Sequence, residues 1–147
     1  MELIGGEFRL NGANFDGGNI SLTDGDVFTG TLADGSAFIF SVLSSEGFRL
    51  LDILADVTLT PVSLPPLDTN PIVVDAPVVG GPSGLRAGQQ LTVVTGGSLG
   101  DNFAVVDAIL NVDAGTVGIG LEASGSVVNI SGGSVEDFFQ ALSLIHI

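Results

Sequence analysis

The sequence contains no cysteine, tryptophan, tyrosine or lysine, and its 17 acidic residues face only three arginines, which gives a formal net charge of −14. The absence of cysteine excludes disulfide scaffolds, thiolate zinc sites and cysteine nucleophiles. The acidic excess disfavours binding to nucleic acid phosphates and to anionic lipid headgroups. No apolar run approaches the roughly 18 residues of a membrane-spanning helix. We therefore expect no nucleic acid partner and no membrane span.

The residues that are present indicate a folded, glycine-rich domain. The chain has 147 residues, of which 22 are glycine and 45% are hydrophobic, and its mean hydropathy is +0.58. Glycine is about twice as frequent as its average of roughly 7%. The length suits one domain, at roughly 100–200 residues each, and the high hydropathy argues against disorder.

An 18-residue repeat fills the C-terminal third, with copies at 92–109, 110–127 and from 128 onward. Gly97, Gly115 and Gly133 recur at this interval, and the flanking positions also match. The aligned columns are Val94/Val112/Ile130, Ser98/Thr116/Ser134, Leu99/Val117/Val135, Phe103/Leu121/Phe139 and Val105/Ala123/Ala141. Apolar residues alternate within a copy, which is typical of a half-buried strand. Frequent glycines and β-branched residues disfavour a helix.

We interpret each copy as one coil of a parallel β-helix, also called a β-solenoid. A copy of this length is too short for a propeller blade, and it lacks the helical half of a leucine-rich repeat. Stacked coils about 4.8 Å apart would place equivalent side chains in columns, so each coil completes the core of its neighbours. The left-handed hexapeptide helix has coils of the same length, but the apolar spacing in this chain does not follow its hexad period.

A calcium-binding nonapeptide solenoid is a weaker alternative, because one copy has the length of two nonads. Gly96-Gly97 and Gly132-Gly133 are followed by Asp101 and Asp137 at the motif's aspartate position, but the middle copy has Ile119 there. Asp24 and Asp26 form a second weak candidate for calcium. The simpler interpretation makes all four aspartates solvated corner or turn residues, with no metal and no cofactor.

The rest of the chain divides at changes in composition. Residues 1–60 hold six of the nine phenylalanines and two Asp-Gly hairpin signals, which predicts a small antiparallel β module that caps or interrupts the solenoid. Strands are expected at 28–32, 37–42, 48–54 and 57–59. All six prolines fall between Pro61 and Pro82, so residues 61–90 are predicted to form an extended strap. The coils are expected at 91–141.

The last six residues, 142–147 (LSLIHI), differ from the preceding composition. They resemble the translation of a transposon-end adapter used in preparing sequencing libraries. The resemblance implies a non-native tail that contains the only histidine, His146, and a natural chain that continues beyond Ala141. At the other end, residues 1–4 lack the basic and apolar regions of a signal peptide.

Residues 128–135 (VNISGGSV), 80–89 (GGPSGLRAGQ) and 29–36 (TGTLADGS) are similar to tandem repeats in large secreted proteins of environmental bacteria. This resemblance implies a segment of an extracellular, adhesin-like parallel β-helix, without catalytic residues to transfer. Its partners would be the neighbouring coils of the full-length chain and extracellular glycans or matrix.

Catalysis is not expected from the residues, because no His-based relay and no phosphate or zinc motif is present. The remaining candidates are carboxylate pairs, Asp101 with Asp137 or Asp107 with Asp113. These keep open an alternative in which the chain is a fragment of a carbohydrate-active β-helix enzyme. The favoured hypothesis is a structural or adhesive repeat segment of a secreted surface or matrix protein, and the calcium-stabilised repeat domain is a second alternative.

Overall fold

The computed structural model describes residues 8–10, 13–14, 27–31, 35–41, 66–78 and 83–142. Every helix or strand element in these ranges is a β-strand, which confirms the predicted all-β class. Four short strands near the N terminus form an antiparallel sheet: β1 (Phe8–Leu10), β2 (Ala13–Asn14), β3 (Val27–Thr31) and β4 (Ala37–Ser41), in the order β2-β1-β3-β4.

The remaining eleven strands stack into three parallel sheets. Sheet I contains β5 (Ile72–Val74), β7 (Gln90–Val93), β10 (Ile109–Val112) and β13 (Val127–Ile130). Sheet II contains β8 (Ser98–Leu99), β11 (Thr116–Val117) and β14 (Ser134–Val135). Sheet III contains β6 (Gly84–Leu85), β9 (Ala104–Val106), β12 (Glu122–Ser124) and β15 (Gln140–Leu142).

The chain visits the three sheets in turn, so each circuit is one coil of a three-sided β-solenoid with about four coils. The predicted columns are in register in sheets II and III: Thr116 pairs with Ser98 and Ser134, and Ala123 pairs with Val105 and Ala141. The glycine column is also confirmed, because Thr116 N donates to Gly97 O and Ser134 N donates to Gly115 O.

One predicted column is wrong by a single residue. In sheet I the partner of Val112 is Val93, not Val94, and the step from Leu91 to Leu110 is therefore one residue longer than the step from Leu110 to Val128. The extra residue lies in the turn after β7, because residues 94–97 separate β7 from β8, whereas only residues 113–115 separate β10 from β11. A turn that absorbs one extra residue leaves the strands on both sides in register.

The core is built from the inward residue of each alternating pair. In β10, Leu110 and Val112 are fully buried, whereas Asn111 between them points outward. Full burial of an aliphatic side chain of this size contributes about 1.5–3 kcal/mol. The fully buried set recurs in every sheet and comprises Leu85, Leu91, Val93, Val105, Leu110, Val112, Val117, Leu121, Ala123 and Val128.

Residues with a positive φ turn the chain at all three corners of the solenoid. At two corners these residues form columns, Asn102, Gly120 and Phe138 at one and Gly88, Asp107 and Gly125 at the other; at the third corner Gly115 and Gly133 align, and Gly96 lies in the longer turn after β7. At Gly115 two constraints coincide, because φ is 77° and an added Cβ would collide with the carbonyl oxygens of Gly97 and Val94. The corner therefore needs glycine both for the backbone angle and for the close approach of the preceding coil.

The stack begins earlier than predicted. β5 pairs with β7 and β6 pairs with β9, so part of the segment expected to be a strap at 61–90 is the first coil. Pro77 makes an isolated bridge to Ser98, and no strand in the described residues pairs with the other side of its coil. Proline is tolerated at such an edge because its missing donor is not needed there. Leu142, assigned to the non-native tail, pairs with Ser124 in sheet III. Residues 143–147, including His146, lie outside the described residues.

The antiparallel sheet packs on the outer face of sheet III. The predicted strand pair at 28–32 and 37–42 is confirmed as β3 and β4. Ala37 and Ile39 of β4 form an apolar cluster with Ala104, and Val27, Val106 and Leu142 pack against it. Gly84 has no side chain at the point of closest approach, where an added Cβ would lie 2.6 Å from Ala37 O. The strands expected at 48–54 and 57–59 lie outside the described residues.

Candidate functional site

Asp101 and Asp137 occupy the same corner column, two coils apart, with Ile119 between them. The Asp101 side chain is exposed, and its Oδ1 atom accepts a hydrogen bond of 3.0 Å from Ile119 N. Asp137 contributes its main-chain oxygen, which accepts from Gly120 N at 3.0 Å. The carboxylate of Asp101 therefore fastens the corner of its own coil to the corner of the next.

The same corner offers few ligands for calcium, which takes six to eight oxygen atoms. Within the described ranges, no group of three or more His, Cys, Asp or Glu side chains is placed to hold a metal ion. The isoleucine between Asp101 and Asp137 supplies no side-chain oxygen. Asp24 and Asp26, the other calcium candidates, lie outside the described residues.

The second carboxylate pair is not brought together. Asp107 lies at the corner before β10, and Asp113 lies just after its other end. The four residues of β10 alone span about 10 Å at the usual rise of a strand. Asp113 also accepts a 2.9 Å hydrogen bond from the Ser131 hydroxyl. A separation beyond the roughly 5–9.5 Å of glycosidase carboxylates removes the geometric basis for this pair.

A ladder of polar side chains runs along the outer face of sheet I, and we call it the amide ladder. It consists of Thr92, Asn111 and Asn129, which occupy equivalent positions in consecutive coils. Asn129 Nδ2 donates to Asn111 Oδ1 at 2.8 Å, and Asn111 Nδ2 donates to Thr92 Oγ1 at 3.2 Å. The repeat alone does not reveal this ladder, because the step from Thr92 to Asn111 contains the extra residue and the step from Asn111 to Asn129 does not.

A second polar column, of hydroxyl groups, lies on the outer face of sheet II at Ser98, Thr116 and Ser134. The inward neighbours Leu99 and Val117 are buried, which turns these hydroxyl groups outward. Sheets I and II therefore both display polar groups that repeat at the spacing of the coils, about 4.8 Å.

Glu122 is a half-buried acidic residue of β12. It lies on the outer face of sheet III between Ala104 and Gln140, on the face that β4 packs against. Burial raises the pKa of the Glu122 carboxyl from 4.5 to about 7. The described parts of β4, β9 and β15 contain no charged residue, so no described strand around it carries a cation that would offset this cost.

An apolar cavity of about 300 Å³ opens at the first coil. Its lining includes the inward residues Ile72, Val74 and Val78 of the first coil and Leu91 and Leu99 of the second. No strand in the described part of the chain pairs with the outer edge of β5, so the cavity lies at the start of the stack.

Comparisons with models of known protein families, with curated proteins and with solved structures found no match. Among the residues described, no helix has the length and hydropathy to cross a bilayer.

Proposed function

We propose that this chain is a structural or adhesive repeat segment of a secreted bacterial surface or matrix protein, with no catalysis of its own. The observation that carries the proposal is the amide ladder, in which Thr92, Asn111 and Asn129 repeat the same outward position on successive coils. The inward positions are taken by the core, the corners by backbone turns and the outer face of sheet III by the antiparallel sheet, so the outer columns of sheets I and II are available for recognition. The resemblance of the repeats to extracellular adhesin-like proteins supports the same role.

The chemistry of the ladder favours a neutral polymer as the partner. The amide and hydroxyl groups can donate and accept hydrogen bonds without carrying charge. A net charge of −14 repels polyanions, so neutral polysaccharides are preferred over acidic ones. Repeated weak contacts along one polymer chain would add up through multivalency.

Binding of the purified 147-residue chain to immobilised neutral and acidic polysaccharides tests the adhesive role. We expect retention on one or more neutral polymers, and a loss of at least tenfold in Asn129→Ala. The matched control is Ser134→Ala, an equally exposed polar position on the last coil but in sheet II. Equal losses in both variants, or retention on acidic polymers only, would contradict the role of the ladder.

The alternative as a fragment of a carbohydrate-active enzyme predicts a different result in the same samples. Release of new reducing ends from a bound polysaccharide would replace the adhesive proposal by an enzymatic one. Asp101→Asn and Asp137→Asn would then identify which carboxylate takes part. Binding without release of reducing ends is the result expected for an adhesive segment.

A further inference from the structure

The two ends of the solenoid present complementary surfaces. At the last coil, side chains that are fully buried in the inner coils become accessible because no described coil follows. Val112 is fully buried, whereas its column partner Ile130 is 44% exposed. Val135 and Phe139 are likewise only partly buried, although their column partners Val117 and Leu121 are fully buried.

At the first coil, the same columns end in the apolar cavity. The column of Val128 continues through Leu110 and Leu91 to Ile72, and the column of Ile130 continues through Val112 and Val93 to Val74. The column of Val135 continues through Val117 to Leu99, and Val78 N donates to Ser98 O in register with it. Ile72, Val74 and Val78 are all cavity-lining residues.

We propose that a second copy of this chain docks its last coil on the first coil of its neighbour, continuing the stack head to tail. In this arrangement Ile130 and Val135 of one copy lie over Val74 and Val78 of the next and close the cavity. The contact repeats the packing that joins consecutive coils within one chain. It stands on the stacking of the coils alone and does not depend on the proposed surface role.

Strand edges support the same docking. In the described residues, β5 and β13 are the two outer strands of sheet I, and each has one edge without a strand partner. Such edges carry unpaired backbone donors and acceptors and readily add another strand. Docking in the direction of the stack would pair them in parallel, as in every other step of sheet I. A heterologous contact of this kind leaves a free end on each copy, so it produces filaments rather than closed dimers.

The charges set the conditions for association. Asp68 and Asp75 lie exposed near the first coil, and Glu136 and Asp137 lie exposed on the last. The two ends therefore repel each other at low ionic strength, where the Debye length is about 30 Å at 0.01 M, and much less at 1 M, where it is about 3 Å. Each end is a single coil, smaller than a standard interface of roughly 20–30 residues a side, so the association should be weak and concentration-dependent.

Sedimentation velocity of the 147-residue chain tests the proposal. We expect monomer at low concentration and low salt, and a series of larger species that grows with concentration and with added salt. Ile130→Asp should abolish the series. The matched control is Ile119→Asp, because Ile119 is 43% exposed but lies on the side of the third coil. A chain that stays monomeric in all conditions would overturn the proposal.

A second variant tests the direction of docking. Ala76→Asp places a charge on an exposed cavity-lining residue at the first coil. Alone, it should also abolish the series, and circular dichroism melts will show that both variants are folded. Ile130→Asp keeps an intact first coil and Ala76→Asp keeps an intact last coil, so their mixture should form one-to-one dimers and nothing larger. If association survives Ala76→Asp but not Ile130→Asp, two last coils meet. If Ile119→Asp reduces association as much as Ile130→Asp does, the copies contact side by side. Either result overturns head-to-tail docking.

Discussion

Replacing Glu122 with glutamine tests whether the antiparallel sheet buries a carboxyl group on the solenoid. Glu122 points outward from β12, and its neighbours in sheet III are Ala104 and Gln140. The apolar cluster of Ala37 and Ile39 lies on the same face. Glutamine has nearly the same shape and carries no charge, so the substitution removes the cost of ionising a half-buried group and keeps the packing.

The sign and size of the effect follow from the pKa of Glu122, which burial raises from 4.5 to about 7. Between these values the folded state holds a proton that the unfolded state has released, so the free energy of unfolding falls as the pH rises. Each unit of pKa difference corresponds to about 1.4 kcal/mol, which sets an upper bound of about 3 kcal/mol. Because Glu122 is only half-buried, solvent screening reduces this loss to about 1–2 kcal/mol, complete above pH 7.

Urea unfolding of both proteins at about pH 5 and pH 8 measures this difference. The gain in stability of Glu122→Gln over the parent should be about 1–2 kcal/mol larger at pH 8 than at pH 5. Comparing the two proteins at each pH cancels the titration of the other acidic residues. The control is Glu136→Gln, an exposed position on the last coil, which removes one acidic group away from the antiparallel sheet. A difference between the parent and Glu122→Gln that is the same at both pH values would refute the reasoning.

The corners carry three further predictions. Gly115→Ala should lower the free energy of unfolding by about 2–4 kcal/mol in urea titrations, because alanine would have to adopt a positive φ and its Cβ would collide with the backbone. The control is Gly100→Ala, which has open space around it and should change the free energy of unfolding by less than about 0.5 kcal/mol. Phe138→Gly should raise the free energy of unfolding by about 0.5–1 kcal/mol, because Phe138 has a φ of 67°, which glycine adopts without strain, and its side chain is 71% exposed. The control is Ile119→Gly, which should lower the free energy of unfolding because Ile119 is exposed but has no positive φ. The melting temperature should be unchanged by calcium or EDTA, because the Asp101 carboxylate already accepts a hydrogen bond from Ile119 N and needs no metal to hold this corner. A rise of several degrees in the melting temperature with calcium would favour the calcium-stabilised alternative.

The repeat makes the stacking of sheets II and III predictable, but it does not reveal the extra residue in sheet I. Val93 and Val94 are the same residue type, so the aligned column looks equally apolar in either register. Only the buried position of Val93 opposite Val112 distinguishes them. A gapless alignment favours the wrong valine because the glycines on the far side of the turn, Gly97 and Gly115, keep the regular interval of the repeat.

The sequence does not predict the first coil, because a cluster of prolines in this segment is typical of an extended loop rather than of a sheet. Proline lacks a backbone donor, which matters only where a neighbouring strand needs that donor. Pro71 lies just before β5, and Pro77 forms a β-bridge to Ser98 of the second coil. Neither proline therefore interrupts a strand that lies between two other strands. In a solenoid, the outermost coil is the place where a proline-rich segment and a parallel sheet are compatible.

The corner residues are only partly predictable from the sequence. Asn102 and Asp107 take the same positive φ as the glycines one coil away, and these residue types tolerate that conformation. Their chemistry is therefore compatible with two roles, ligand or corner residue, and the pattern alone does not choose between them. Phe138 carries no such signal, because phenylalanine rarely takes a positive φ; only its place in the column of Gly120 and Asn102 indicates a corner.

Within each coil, different positions have different roles, and only the ends and the outer faces are available for binding. Inward positions must fill the core, and corner positions must turn the chain, so a substitution there acts mainly on stability. Outward positions such as Asn111 and Asn129 bond to one another along the ladder, which leaves their outer surface free to contact a polymer. Ile130 is the exception that connects the two classes, because it belongs to a core column yet is 44% exposed. A charge at Ile130 should therefore change association far more than it changes folding, whereas the same charge at its column partner Val112 should unfold the chain.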